Sequence, residues 1–210
     1  MVHLFFGLPG CGKTTVLARL AYKAVKSGKY EYVYSNVELS IPGVTYIDND
    51  CIGKYALENC AVFIDEATLF ADSRDFKSFH AGRKHYFMKH RHYKADLFLF
   101  TQRWDAVDLK IRTITDKVYY IYKGFWTRGW LSSYYRIPYG IIIPDPKKDQ
   151  GSSKLGEIIQ GYCKPNILVR LFATRVFRPR WYRYFDSWEL NDKLPPLPGK
   201  YLPFGSACQP

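Results

Sequence analysis

The sequence predicts an α/β fold whose core is a mainly parallel sheet. Five short runs of apolar, aromatic and β-branched residues lie within residues 1–125, and helical or longer connecting segments separate them. This alternation is typical of parallel strands joined by crossovers. The runs at residues 60–66 and 96–102 end in polar side chains, and ligands of such folds bind at the carboxyl ends of the strands. With 210 residues and 47% hydrophobic content, the chain can bury a sizeable core.

The first apolar run, at residues 3–6, leads directly into a glycine-rich segment. Residues 7–14 read Gly-Leu-Pro-Gly-Cys-Gly-Lys-Thr and match the Walker A pattern G-x-x-x-x-G-K-[ST] at every fixed position. The glycines allow the backbone to fold around an anion, with successive N–H groups directed at phosphates. We therefore expect Lys13 to reach the β and γ phosphates of ATP and Thr14 to hold Mg²⁺. The expected nucleotide-binding residues are Gly7, Gly10, Cys11, Gly12, Lys13, Thr14 and Thr15.

An amphipathic helix is predicted next, followed by a second strand. Residues 15–25 place five apolar side chains on one helical face; they are Val16, Leu17, Leu20, Ala21 and Ala24. Gly28 is a typical helix-stop residue. Residues 30–35 are predicted to form an aromatic, β-branched strand, residues 36–50 a loop, and residues 53–58 a short helix or turn.

Residues 60–66 form a continuous apolar run that ends in two carboxylates, Asp65 and Glu66. Such a run predicts a strand that is covered on both faces. An aspartate at its carboxyl end, beside the phosphate loop, can hold Mg²⁺, and a following glutamate can polarise the attacking water. This is the Walker B pattern, and it predicts Asp65 as a metal ligand and Glu66 as the catalytic base.

Residues 72–94 are basic and rich in histidine. Zinc binding is disfavoured because the histidines form no helical i, i+4 pair and no cysteine lies nearby. The segment fits a solvated helical face, or else a surface that reaches a neighbouring subunit's nucleotide or a nucleic-acid strand. Under the second interpretation, Arg91 is the candidate arginine finger.

Two further strands complete the predicted core. Residues 96–102 end in Gln102, which lies where a polar side chain could sense the γ phosphate or orient water. Residues 117–122 are the fifth strand, and the helical or turn segment before them carries Arg112.

The composition changes after residue 125. Residues 126–210 carry 13 of the 31 Lys and Arg residues but 6 of the 19 Asp and Glu residues, so this part of the chain is basic. We divide the chain into an ATPase core at residues 1–125, a small basic and aromatic extension at 126–190 that is packed on or linked to the core, and an irregular tail at 191–210. Within the extension, residues 130–141 are predicted as a strand or hairpin and residues 144–153 as a linker.

Arginines and aromatic residues interleave within residues 169–184. The arginines are Arg170, Arg175, Arg178, Arg180 and Arg183, and the aromatic residues are Phe172, Phe177, Trp181, Tyr182 and Tyr184. Arginine beside aromatic rings suits base stacking or a lipid headgroup layer, and it also suits an ordinary subunit or domain contact. The sequence leaves these three interpretations open.

Composition also bears on compartment and partners. The five cysteines lack the spacing of a zinc site and the density of a disulfide scaffold, which indicates reduced thiols in a cytosolic protein. We find neither a signal-peptide pattern nor an uninterrupted run of about 18 apolar residues, and therefore expect no membrane-spanning segment in this chain. The net charge of +12 indicates nucleic acid or an anionic membrane surface as a partner.

Taken together, these motifs resemble the Zot family, the zonula occludens toxin-like ATPases that include filamentous phage assembly proteins. The resemblance rests on the Walker A segment at the very start, Ile64-Asp65-Glu66-Ala67, His90-Arg91-His92 before residues 96–102, and residues 105–112. The later Tyr184-Phe185-Asp186-Ser187 is similar to a short Tyr-Asp-Thr element of the family. The resemblance covers residues 2–125 well and the remainder loosely.

The resemblance implies a P-loop NTPase of the additional-strand type, like RecA, FtsK and HerA. The roles that it implies are Lys13 and Thr14 on phosphate and Mg²⁺, Asp65 on Mg²⁺, Glu66 as the water-polarising base, Gln102 as γ-phosphate sensor, and Arg91 or Arg112 acting across a subunit boundary. An arginine that acts on a neighbour requires a homo-oligomer.

The activity implied by the resemblance is Mg²⁺-dependent ATP hydrolysis that drives filamentous phage morphogenesis and extrusion of single-stranded DNA through the host inner membrane. The expected location is the host cytoplasm, with peripheral contact to the inner membrane, and the expected partners are phage or host membrane assembly proteins and single-stranded DNA. Two alternatives stay open. One is a cytosolic packaging or translocation ATPase of the HerA and FtsK kind, and the other is an assembly scaffold that binds ATP without hydrolysing it.

Overall fold

The computed structural model describes residues 1–67, 81–104, 107–122, 136–142 and 173–185. Within these residues, eight strands form one sheet. The strands are β1 (Val2–Phe6), β2 (Tyr32–Ser35), β3 (Val44–Tyr46), β4 (Cys60–Ile64), β5 (Asp96–Thr101), β6 (Lys117–Ile121), β7 (Arg136–Ile142) and β8 (Thr174–Phe177). The α-helices are α1 (Lys13–Ser27), α2 (Ala81–Lys89) and α3 (Leu109–Ile114). Short 3₁₀ segments lie at Asn49–Cys51, Arg178–Arg180 and Tyr182–Tyr184.

The strand order is β3-β2-β4-β5-β1-β6-β7-β8. Strands β1 to β6 pair in parallel, whereas β7 and β8 are antiparallel to their neighbours. The predicted fold class, a mainly parallel α/β sheet, is confirmed. Strand β1 leads into the Walker A segment and β4 ends at the Walker B carboxylates. Strand β5 lies between them and is the additional strand of the predicted fold.

The sheet is wider than the five-stranded core that the sequence predicts, and β7 falls in the region predicted as a strand or hairpin at residues 130–141. Residues 36–50 were expected to be a loop, but they contain β3 and a 3₁₀ turn. Pro42-Gly43 indicates a turn, but a strand of three residues follows it directly and pairs with β2 at the edge of the sheet. Strands β7 and β8 of the basic extension also join the sheet, so this part of the extension is continuous with the core.

Helix α1 packs on one face of the sheet. Four of the five predicted face residues are buried, namely Val16, Leu17, Ala21 and Ala24, and Leu20 is half-buried against the same cluster. Successive residues of a strand point to opposite faces, and alternate aromatic side chains of the central strands meet α1. Phe5 stacks on Phe100 at 4.7 Å between ring centroids.

The other face of the sheet is covered by α2, α3 and the turn after β5. Tyr86, Phe87, Trp104 and Ile111 pack there in one buried cluster with residues of the central strands, including Leu4. Both faces of β4 are therefore buried, as its continuous apolar sequence predicts.

The described part of the basic extension packs against α1. The Trp181 ring is buried and meets Tyr22 of α1 at 5.5 Å between centroids. The Ser40 N–H donates to the Tyr184 carbonyl at 2.8 Å. Of the three interpretations of the arginine and aromatic segment, a contact within the chain accounts for Trp181, whose buried ring is not available to a base. The predicted linker at 144–153 and tail at 191–210 lie outside the described residues.

Among the residues that the structure describes, none of the helices has the length and apolarity needed to cross a bilayer.

The amino ends of the strands are joined by a cluster around Asp96, the first residue of β5. Its carboxylate accepts hydrogen bonds from the Lys29 ammonium, the Tyr30 hydroxyl and the Met1 amino group, each at 2.6 Å. Burial opposes ionisation of Asp96, but these hydrogen bonds outweigh it and hold the pKa of the carboxyl well below its usual value. The carboxylate thus links β5 to the loop between α1 and β2.

We expect Asp96→Asn to lower the free energy of unfolding by about 1–2 kcal/mol at pH 7, because the charged acceptor is lost and Lys29 is largely exposed. The pKa of Asp96 is lower in the folded state than in the unfolded state, where it is about 4. The ionised carboxylate therefore stabilises the fold above about pH 4, and this stabilisation is lost as the pH falls below about 4. The difference between wild type and variant, measured by urea unfolding, should be constant above about pH 5 and shrink towards pH 3. Glu58→Gln, which neutralises an exposed carboxylate, should change stability by less than about 1 kcal/mol; a difference for Asp96→Asn that does not vary with pH would contradict this role.

Candidate nucleotide site

The glycine-rich segment at residues 7–14 joins the carboxyl end of β1 to the start of α1. Gly10 and Gly12 have φ angles of 69° and 99°, in the left-handed region that other residues rarely adopt. The Cys11 N–H donates to the Leu8 carbonyl at 3.1 Å and closes the turn. The segment is therefore a tight loop, with the helix beginning directly behind it, as an anion site at a helix start requires. Cys11 and Thr15, also expected here, are buried.

Lys13 is the first residue of α1 and is buried, with 9% of its surface exposed. Its ammonium donates to the Gly7 carbonyl at 3.2 Å, so the side chain folds back across the loop that precedes it. The positive charge is held at the loop and close to the end of β4.

Thr14 and Asp65 meet at the carboxyl edge of the sheet. The Thr14 hydroxyl donates to Asp65 Oδ2 at 2.7 Å, and the Glu66 N–H donates to Asp65 Oδ1 at 3.0 Å. Burial raises the pKa of the Asp65 carboxyl, and the hydrogen bond from Thr14 and the charge of Lys13 oppose that rise. A cation bound here would stabilise the ionised form of the Asp65 carboxyl. The Thr14 hydroxyl and the Asp65 carboxylate are oxygen ligands of the kind that Mg²⁺ prefers.

Glu66 and Gln102 form the second polar pair of the site. Glu66 has a φ of 52°, an uncommon value that turns the chain sharply after Asp65. The Gln102 side-chain amide donates to Glu66 Oε2 at 3.2 Å. Because Gln102 directly follows β5, which lies between β1 and β4, the pair sits between the two Walker segments.

Asn36 is a site residue that the sequence analysis missed. It follows β2, is buried, and holds the backbone of Asp65 from both sides: its Nδ2 donates to the Asp65 carbonyl at 2.9 Å, and its Oδ1 accepts from the Asp65 N–H at 2.7 Å. Its Nδ2 also donates to Asn49 Oδ1 at 3.0 Å. The sequence carried part of the signal, because a polar residue directly after a strand obeys the rule that pointed to Gln102. The pairing of β2 with β4, which brings Asn36 to Asp65, is visible only in the structure.

The structure places Arg91 away from this cluster and Arg112 beside Trp104. Arg91 pairs with Asp116 at 2.7 Å, and Asp116 contacts Val2 at the amino end of β1, roughly 15 Å along the strand from the phosphate loop. The Arg112 guanidinium lies 5.9 Å from the centre of the Trp104 ring. Within one chain the site therefore comprises Lys13, Thr14, Asp65, Glu66 and Gln102, with Asn36 behind Asp65.

Comparison with known proteins gives one family. The family model described as Zonular occludens toxin (Zot) matches residues 37–151, a span that includes Asp65, Glu66 and Gln102 but not the phosphate loop. No curated protein matches the chain.

Solved structures share the fold, among them the following two. The N-terminal domain of zonular occludens toxin from Neisseria meningitidis aligns at 20% identity and a TM-score of 0.53, covering 88% of this chain and 98% of that chain. The genome packaging NTPase of Sulfolobus turreted icosahedral virus 2, in complex with ATP-gammaS, aligns at 14% identity and a TM-score of 0.50, covering 67% of this chain and 91% of that chain.

Removing the Asn36 side chain should loosen the turn that carries Asp65. We expect Asn36→Ala to lower the free energy of unfolding by about 1–3 kcal/mol, because the half-buried N–H and carbonyl of Asp65 lose their partners. Asn49→Ala removes the outer hydrogen bond alone and should cost about 1 kcal/mol or less. Urea unfolding of both variants measures this, and equal losses for the two would refute the clamp on Asp65.

Proposed function

The chain belongs to the Zot family, and from that premise we propose that it is an ATP-hydrolysing motor for filamentous phage morphogenesis, which drives single-stranded DNA through the host inner membrane. The observation that carries the proposal is the convergence of Lys13, Thr14, Asp65, Glu66 and Gln102 at the carboxyl ends of β1, β4 and β5. A lysine at the loop, a hydroxyl and carboxylate for Mg²⁺, and a second carboxylate are the parts that hydrolysis of a nucleoside triphosphate needs.

In the proposed reaction, the loop N–H groups and the Lys13 ammonium bind the β and γ phosphates. On binding, the ammonium would exchange its hydrogen bond to the Gly7 carbonyl for hydrogen bonds to phosphate oxygens. Thr14 Oγ1 and the Asp65 carboxylate would hold Mg²⁺, which would neutralise charge that develops on the phosphate oxygens.

Glu66 is the general base of the proposed mechanism. Its carboxylate accepts a proton from the water that attacks the γ phosphate. In this proposal Gln102 orients the carboxylate through their 3.2 Å hydrogen bond and also senses the γ phosphate. Asn36 keeps the backbone of Asp65 fixed while the carboxylates act.

An arginine from a neighbouring subunit would complete the site. Arg91 is exposed over 71% of its side chain and lies at the amino edge of the sheet. It would reach a nucleotide only where the amino edge of one subunit faces the carboxyl edge of the next, which is a heterologous contact of the kind that builds rings. Arg112, half-buried beside Trp104, is the second candidate for this role.

The proposed partners follow from the same premise and from charge. The chain carries a net charge of +12, and Arg180, Tyr182 and Arg183 are exposed, a composition that suits single-stranded DNA. Phage or host membrane assembly proteins would hold the motor at the cytoplasmic face of the inner membrane.

A cytosolic genome packaging ATPase is the second candidate function. It is favoured by the shared fold with a viral genome packaging NTPase. Cell fractionation separates the two candidates, since a morphogenesis motor should be recovered with membranes when its phage partners are coexpressed, and a packaging ATPase should not.

Steady-state ATP hydrolysis by the purified chain tests the proposed activity. Glu66→Gln preserves size but removes the base, so we expect kcat to fall about 10²–10⁴-fold with ATP affinity nearly unchanged. Lys13→Ala should abolish hydrolysis and weaken ATP binding. Glu38→Gln, at an exposed position after β2, is the matched control and should retain wild-type turnover.

The same assay with DNA distinguishes the kinds of motor. Stimulation by single-stranded DNA supports extrusion, and stronger stimulation by double-stranded DNA supports packaging. ATP binding without turnover under every condition would contradict a hydrolysing motor and leave the assembly scaffold. Wild-type turnover in Glu66→Gln would refute the role of Glu66.

A further inference from the structure

An arginine of the basic extension contacts the phosphate loop. Arg178 begins the 3₁₀ segment after β8, and its Nη2 donates to the Gly10 carbonyl at 3.2 Å across 168 residues of sequence. The side chain of Arg178 is half-buried, whereas the neighbouring Arg175 and Arg180 are exposed.

A second residue of the extension covers the loop beside Arg178. A Cβ added to Gly12 would lie 2.2 Å from Ile137 Cδ1 and 3.3 Å from Arg178 Nη2. The guanidinium therefore spans positions 10 and 12, the middle of the loop. A larger side chain at position 12 would displace the Ile137 side chain, and the φ of 99° would strain it.

The segment that carries Arg178 is firmly held. Val176 is fully buried on β8 and Trp181 is buried against α1, so the residues on both sides of Arg178 are anchored in the core. The backbone hydrogen bond from Ser40 to Tyr184 fixes the end of the segment. A guanidinium positioned by packing in this way loses little conformational entropy when it binds an anion.

We propose that Arg178 is a nucleotide-binding residue that acts within its own chain and donates to the β phosphate of a bound nucleoside di- or triphosphate. The inference rests on the proposed nucleotide binding and extends it to the basic extension. The middle of a phosphate loop wraps the β phosphate, and the guanidinium already lies against that part of the loop. Its planar fork of five donors suits phosphate oxygens, and the guanidinium would be a second positive charge at the site in addition to that of Lys13.

The assignment gives the extension a chemical role. Nucleotides that carry a β phosphate engage both Lys13 and Arg178, whereas a monophosphate engages neither in full. The site should therefore discriminate ATP and ADP from AMP, with Arg178 supplying part of that discrimination.

Equilibrium binding tests the role of Arg178 without reference to turnover. The dissociation constants of ATP and ADP are measured with fluorescent analogues, and that of AMP by competition, for wild type, Arg178→Ala, Arg178→Lys and Lys23→Ala. We expect Arg178→Ala to bind ATP and ADP at least about tenfold more weakly with AMP affected less than about twofold, since a charge-assisted hydrogen bond is lost. Arg178→Lys should be intermediate, because the charge remains without the fork. Lys23→Ala, which removes one exposed charge from α1, should match wild type.

Each contrary result has a distinct meaning. If Arg178→Ala binds ATP and ADP like the wild type, Arg178 is not a phosphate ligand and the proposed function stands. If all three nucleotides weaken by one factor and the melting temperature of the nucleotide-free variant falls, Arg178 supports the loop structurally and the inference is overturned. Failure of the wild-type chain to bind any of the three would overturn both the inference and the proposed function.

Discussion

The hydrogen bond from the Thr14 hydroxyl to the Asp65 carboxylate, 2.7 Å long across 51 residues, is the contact on which the site depends. It forms because parallel pairing aligns the carboxyl ends of three strands: Phe6 lies opposite Thr101 and Ile64 opposite Leu99. A one-residue shift in either pairing would reverse the faces of the side chains and separate the two Walker segments. The arrangement of the candidate site is thus a consequence of the order and register of β1, β5 and β4.

Much of this arrangement could be predicted from sequence because its signals are local. The loop at residues 7–14, the buried strand that ends at Asp65 and the apolar face of α1 each depend on a few consecutive residues. Once the strands are taken as parallel, the rule that ligands bind at their carboxyl ends places Gln102 as well. Each of these elements was identified because its own residues specify both its conformation and its polar end.

The features that escaped prediction depend on contacts between distant segments. Asn36 reads as the start of a loop, and its role appears only when β2 is seen to pair with β4. Arg178 is one of several arginines in the sequence, and only the antiparallel pairing of β7 with β6 and β8 returns it to the loop. Arg91 was predicted at the site but lies at the amino ends of the strands, on the opposite side of the sheet from the phosphate loop. Its sequence motif gives no indication of this position. Tertiary placement, rather than residue type, separates these arginines.

The most direct test of the central claim is a crystal structure of the chain with Mg²⁺ and a non-hydrolysable ATP analogue. We expect the triphosphate in the loop, the Lys13 ammonium on phosphate oxygens in place of the Gly7 carbonyl, and the Thr14 hydroxyl and Asp65 carboxylate at the metal in place of their mutual hydrogen bond. An analogue bound away from residues 7–14, or one in the loop with the Thr14–Asp65 hydrogen bond intact and no metal beside it, would contradict the claim that these residues form a nucleotide hydrolysis site.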